Sequence, residues 1–164
     1  KFEADLKFLD LPEDVSSIKQ EWLSTYIDWK PQDNYYYAVE KTGFKPSPQI
    51  SEGTFSKYAS LDDKLDWLHY YMMFIKLGIG RATSDASREI REGLITREEG
   101  CLLVKRFDGE ITKNYFDFTL NYLDLDKENF LRIVNSFRQE HIWSKVGGHF
   151  KLRHNVNRTG VDDK

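Results

Sequence analysis

Apolar positions along the chain recur mostly at three- and four-residue spacing, the period of one helix face. Val15, Ile18 and Trp22 predict a short helix over 13–23, followed by a short extended apolar patch of Tyr26, Ile27 and Trp29. Pro31 suits a first helical turn. The helix it opens runs through Tyr35, Tyr36 and Val39 and should stop at Gly43. Residues 44–59 hold Pro46, Pro48 and Gly53 without periodicity and read as a loop. Ser60 and Asp63 resemble a capping pair for a third helix, whose stripe is Leu61, Leu65, Leu68, Met72 and Ile75. Tyr70, Tyr71, Met73 and Phe74 make its second half apolar all round, as in a helix buried in the middle of a bundle. Gly78 should end it.

A fourth helix, capped by Thr83 or Ser84, is expected to end at Gly93. Thr96 and Glu99 form a capping box for a fifth, with Leu103, Val104 and Phe107 on one face and Gly109 as its stop. Two more helices are expected, over 113–123 and, from Asp126, over 127–138. The period then changes. Gly147-Gly148 is a hairpin turn, and Phe150, Leu152, His154 and Val156 alternate with polar residues as in a strand. The pattern therefore predicts a mainly α fold, a helical bundle of about six to seven helices with a short C-terminal β-hairpin. No linker divides 60–156, the first 50 residues look like a different unit, and 157–164 form a polar tail.

At 164 residues the chain is long enough for one domain with a proper core. Its 24 basic and 27 acidic residues leave a net charge of −3, without the broad basic footprint of non-specific nucleic-acid binding. The one cysteine, Cys101, excludes an internal disulfide and an all-cysteine zinc site, and inside a helix it reads as a small buried hydrophobe. No apolar run approaches the roughly 20 residues of a membrane helix.

Several groups carry candidate chemistry. Asp62, Asp66 and His69 stand at i, i+4 and i+7, one helix face that suits a metal, a polar functional surface or plain surface charge. The turn Gly78–Asp85 (GIGRATSD) offers free amides and Arg81 to an anion such as a phosphate, or is an ordinary capped helix–helix turn. Residues 82–106 loosely resemble a helix-turn-helix, but their basic residues are interleaved with acids. Trp29, Tyr35–Tyr37, Phe55 and Tyr58 lie in or near irregular segments, where rings can stack on sugars or serve the core. His141, His149 and His154 have no assignable role.

The stretch 53–109 is more specific. Its runs Gly53-Thr54, Lys57-Tyr58-Ala59-Ser60-Leu61-Asp62-Asp63-Lys64, His69-Tyr70-Tyr71, Gly80–Ser87, Glu89-Ile90-Arg91 and Ile95–Gly100 closely resemble the C-terminal portion of the N-acetyl sugar amidotransferases of the WbpG/PseA type. Ser136-Phe137-Arg138, His141-Ile142-Trp143 and Lys151–His154 extend the resemblance. It implies a PP-loop ATP-pyrophosphatase enzyme of bacterial LPS or flagellin glycan biosynthesis, acting in the cytoplasm. Such an enzyme converts the acetamido group of a nucleotide sugar to acetamidino. The implied partners are a nucleotide-activated N-acetyl sugar and either a glutaminase subunit supplying ammonia or free ammonium; a homodimer is a separate expectation, and the charge balance points to no nucleic-acid partner. ATP and magnesium would bind mostly outside this chain.

The family's Ser-Gly-Gly-x-Asp-Ser-type loop and N-terminal cysteines do not occur here, and the chain begins at Lys1. A C-terminal fragment is therefore expected, inactive alone, with residues 1–50 a remnant or linker of an α/β nucleotide-binding domain and 51–156 a helical domain. The expected substrate surface comprises Lys57 and Arg81 for anionic groups, Thr83, Asp85 and His69 as polar orienters, Asp62 and Asp63 for hydroxyls or a cation, and Tyr58 beside them. The alternative from another class is a non-catalytic helical module that docks the glutaminase or forms a dimer.

Overall fold

A computed structural model describes Ser16 and residues 18–156. The chain divides into two compact units, residues 1–36 and 37–164. In order, the described elements are a 3-10 turn at Leu23–Thr25, helices α1 (Pro31–Thr42), α2 (Asp66–Leu77), α3 (Arg81–Arg91), α4 (Arg97–Phe107), α5 (Phe116–Leu123) and α6 (Lys127–Ser136), and strands β1 (Trp143–Val146) and β2 (His149–Leu152). The fold is mainly α with a C-terminal antiparallel hairpin, as the hydrophobic pattern predicts.

In the first unit, the expected helix over 13–23 does not form where it is described. Residues 18–22 are irregular, and Val15 lies outside the described residues. Ile18 and Trp22 are 51% and 75% exposed. A short helix that buries no apolar face has little to hold it. The expected polar tail also lies outside the described residues.

In the second unit, the core is built on α2. Trp67, Tyr71 and Ile75 are its buried residues and pack with Phe130 and Val134 of α6. This corrects the expected stripe: Leu68 and Met72 sit at the edge of the core, and Leu61 precedes the helix and is exposed. Nor is α2 buried all round, since Lys76 and Leu77 face outward. The Trp67 indole N–H donates to Thr119 Oγ1 of α5 at 3.0 Å, so the largest ring of the core also carries a satisfied polar contact. Gly78 ends α2 with φ 73°, a left-handed conformation, and a Cβ there would meet Ile142 and Leu152 at 2.8 and 2.9 Å.

Two expected starts are also corrected. Ser60 adopts φ 55°, outside the extended conformation of an N-cap, and its hydroxyl goes to Asp66 instead, so α2 begins at Asp66. Helix α3 begins at Arg81 with Gly80 as N-cap, upstream of Thr83 and Ser84, because a carboxylate from elsewhere caps it. The Thr96–Glu99 box and the Asp126 cap are as expected. Helix α5 starts at Phe116, later than 113, and α6 ends at Ser136, before 138.

The hairpin pairs Trp143 with Leu152 and Val146 with His149 around Gly147-Gly148. The expected strand through Val156 is shorter. β1 offers four residues, and beyond Leu152 one further bond, Arg153 N–H to Ile142 O at 2.9 Å, continues the ladder. Trp143 is buried, and its indole N–H donates to the Ile75 carbonyl at 2.7 Å, which ties the hairpin to α2.

Candidate functional site

The irregular segment 44–65 is held by polar contacts along its length. Ser51 Oγ donates to the Ala59 carbonyl at 2.6 Å and Ser47 N–H to the Lys57 carbonyl at 2.8 Å, so the loop folds back on itself. The Gly53 amide donates to Glu110 at 3.1 Å, the Thr112 hydroxyl to Glu52 at 2.7 Å, and the Asn114 amide to Gln49 at 3.1 Å. The Thr54 side chain is fully buried and donates to Asp85 of α3 at 2.6 Å. A loop so pinned presents its remaining side chains in fixed positions, which suits a functional surface.

Arg81, in the first turn of α3, is 6% exposed. Its Nη1 lies 3.4 Å from Asp66, and its guanidinium sits 4.2 Å from the centre of the Tyr70 ring. Asp66 therefore serves Ser60 and Arg81 rather than pairing with His69, which stands edge-on to Tyr70 at 5.1 Å. Asp108, the C-cap residue of α4, occupies the N-terminus of α3. It accepts the Gly80 amide at 2.8 Å, the Thr83 amide at 3.2 Å and the Thr83 hydroxyl at 2.5 Å. The amides that the Gly78–Asp85 turn offered to a phosphate thus already hold an internal anion.

Asp85, Arg88 and Glu89 of α3 and Glu92, its C-cap, follow one another at helical spacing, with Tyr58 beside them. Burial, then the charges of Asp85 and Glu92, pushes the Glu89 carboxyl above the usual glutamate range. Burial, then Glu89 and Asp85, likewise raises the Tyr58 hydroxyl. Arg88 moderates both, and it lies 3.4 Å from Asp85. Glu89 thus holds its proton to higher pH than an exposed glutamate.

Two open grooves flank the pinned loop. One, of about 580 Å³, runs along the start of α2 and is lined by Asp63, Asp66, His69 and Tyr70 among others. The second, of about 440 Å³, lies between residues 48–57 and 110–114 and is lined by Lys57, Lys113, Glu52 and Gln49. The sequence-derived set is thus distributed. Asp63 and His69 line the first groove and Lys57 the second, whereas Arg81, Thr83 and Asp85 are engaged inside the polar network. Asp62 is exposed before α2, so it does not share a helix face with Asp66 and His69. Among the described residues, no group of three or more His, Cys, Asp or Glu is placed to hold a metal ion.

Residues 52–156 match the family described as LPS biosynthesis protein WbpG-like, C-terminal domain. The chain belongs to this family. No curated protein matches it. Within the WbpG-like domain, sequence reasoning missed Thr54, Asp66 as the partner of Arg81, Tyr70, Asp108 and Glu110. Asp108 lies 28 residues from Gly80 and Glu110 lies 57 from Gly53, and no local spacing signals such pairs. Among the described residues, no helix is long and apolar enough to cross a membrane.

Proposed function

We propose that this domain forms the sugar-facing part of an ATP-dependent N-acetyl sugar amidotransferase, which turns the acetamido group of a nucleotide sugar into an acetamidino group. The motifs of residues 53–109 and membership of an LPS biosynthesis family support the pathway class. The observation that carries the site is the α2 groove, where two carboxylates, an imidazole and an aromatic ring lie side by side. Asp63 and Asp66 accept hydrogen bonds from sugar hydroxyls, His69 donates or accepts, and Tyr70 packs against the apolar face of the ring. Arg81, stacked on Tyr70 and beside Asp66, orients both without reaching the sugar.

An amide is a poor electrophile until its oxygen becomes a good leaving group; ATP with magnesium, bound mostly outside this chain, would supply that activation, the amide oxygen taking the adenylyl group as pyrophosphate leaves. Ammonia, from a glutaminase partner or free ammonium, then adds to the amide carbon. AMP leaves with the former amide oxygen, and a nitrogen takes its place. The role of this chain in that sequence is to bind and orient the sugar.

The test is a thermal-shift titration of the chain with UDP-N-acetyl sugars, paired with AMP release by the full-length enzyme. A ligand of the folded state raises the midpoint by mass action. Stabilisation that is lost in His69→Ala and Asp63→Ala, together with a raised KM in the enzyme, supports the reading. Unchanged KM in both variants would overturn the groove assignment.

A further inference from the structure

We propose that the groove between residues 48–57 and 110–114 is a binding site for a free α-amino acid, held by both of its opposite charges. The groove shares no lining residue with the α2 groove, and the inference does not depend on the amidotransferase reading.

The set of charges around the groove is the first observation. The ammonium groups of Lys57 and Lys113 and the carboxylates of Glu52 and Glu110 line one space of about 440 Å³. That volume lies in the range of small-molecule sites. Two carboxylates line the same groove, yet neither lysine forms an ion pair among the described residues, where ion pairs are found at Lys19, Lys30, Lys41, Arg81 and Arg88. Opposite charges that face one space without closing on each other leave both signs to a ligand.

The second observation is that neutral donors fix the carboxylates. The Thr112 hydroxyl donates to Glu52 Oε1 at 2.7 Å, and the Gly53 amide donates to Glu110 Oε2 at 3.1 Å. Thr112 is 3% exposed, and its Oγ1 accepts the amides of Asn114 and Tyr115, both at 3.2 Å. Asn114 Nδ2 donates to Gln49 Oε1 at 3.1 Å. Contacts thus cross from one wall to the other at three points, between residues 57 to 65 apart in sequence. The spacing of the walls is therefore set by the fold rather than by a ligand. A hydroxyl or an amide donates a hydrogen bond without donating a charge, so each carboxylate keeps its charge and its second oxygen.

These features select among ligands. A simple anion would meet two lysines but also two carboxylates of its own sign, and a simple amine the reverse. A zwitterion meets both signs correctly. Its ammonium has three donors for the second oxygens of Glu52 and Glu110, and its carboxylate accepts from Lys57 and Lys113, so the bonds are charge-assisted on both sides. Pro48 and Ile50 supply the apolar part of the lining, which suits an aliphatic side chain. A free α-amino acid with such a side chain carries all three parts on one carbon.

The experiment uses the full 164-residue chain and L-leucine as the probe. Two analogues each lack one charge: 4-methylpentanoate has no ammonium, and 3-methylbutylamine has no carboxylate. Binding is read from amide NMR shifts. The variants are Lys113→Gln, at an exposed position, and Glu52→Gln, which keeps an oxygen for the Thr112 hydroxyl. Arg97→Gln, in the first turn of α4, is the control. The expected result is leucine shifts centred on residues 48–57 and 110–114, with each analogue bound about tenfold or more weakly. Lys113→Gln and Glu52→Gln should each weaken leucine by about the same factor, and Arg97→Gln should not. Binding of 4-methylpentanoate as tight as that of leucine would make the groove a plain carboxylate site and overturn the proposal. The absence of any leucine shift, or affinity equal in both variants and the unaltered chain, would overturn it as well.

Discussion

Asp108 caps α3 through Thr83, accepting both its hydroxyl, at 2.5 Å, and its amide, at 3.2 Å. The same carboxylate takes the Gly80 amide. One residue at the end of α4 thus satisfies the start of α3, and it fills the position that sequence alone offered to a bound phosphate. A Cβ on Gly80 would lie 2.5 Å from Asp108 Oδ1. Asp108→Ala should therefore cost about 0.5–2 kcal/mol, the range for a lost N-cap. Gly80→Ala should be destabilising by itself, yet nearly neutral once Asp108 is alanine, because the space is then empty. Urea melts of the single and double variants read the coupling. Additive effects would show that the two sites do not meet.

Arg81 and His69 should separate folding from binding. Arg81 is buried, so Arg81→Ala leaves Asp66 without its cation and lowers stability. Asp66 is partly exposed, which puts the loss at the low end of the roughly 3–5 kcal/mol known for broken buried pairs. His69 is exposed, and His69→Ala should leave the melting temperature unchanged while raising the KM of the full-length enzyme. A melting temperature unaffected by Arg81→Ala would contradict the structural role given to this residue.

The pH dependence of stability should have two opposed carboxylate contributions. The capping bonds of Thr96 hold Glu99 below the usual glutamate range, and those of Asn129 do the same for Asp126. A depressed folded-state pKa contributes stability that is present above the unfolded value and is lost as pH falls through the folded one. That loss belongs below about pH 4.5, and Glu99→Gln should flatten it. Glu89 has the opposite sign. Its raised pKa means that the folded state disfavours the charged form, so its cost is absent in acid and grows as pH rises from the unfolded value towards the folded one. Glu89→Gln should stabilise the domain at pH 7 relative to the unaltered chain and not at pH 3. Equal effects at both values would remove burial and like charge as the cause.

The helices of the second unit were legible where their signals are local. The Thr96–Glu99 box, the Asp126 cap and the Gly78 stop each lie within a few residues of the group they satisfy. The start of α2 was not legible, because Ser60 has the composition of a cap but a left-handed backbone, which only the folded loop imposes. The candidate site divides in the same way. Lys57, Asp63 and His69 are exposed polar residues that a motif can point to, whereas the pairing of Arg81 with Asp66 and Tyr70 depends on how α2 and α3 pack.

Thr119 provides a test of the core itself. Its hydroxyl is fully buried, accepts the Trp67 indole N–H at 3.0 Å and donates to the Tyr115 carbonyl at 2.8 Å. Thr119→Val keeps the shape but strands a buried donor on Trp67, itself 3% exposed. The cost of an unsatisfied buried group is about 1–3 kcal/mol. Trp67→Phe removes the donor and leaves a cavity, which costs more than 1 kcal/mol. In the double variant the stranded donor no longer exists, so the combined loss should be smaller than the sum of the two. Chemical denaturation of the three variants measures that difference. A combined loss equal to the sum would show that the indole of Trp67 gains nothing from Thr119, and that α5 is held to α2 by apolar packing alone.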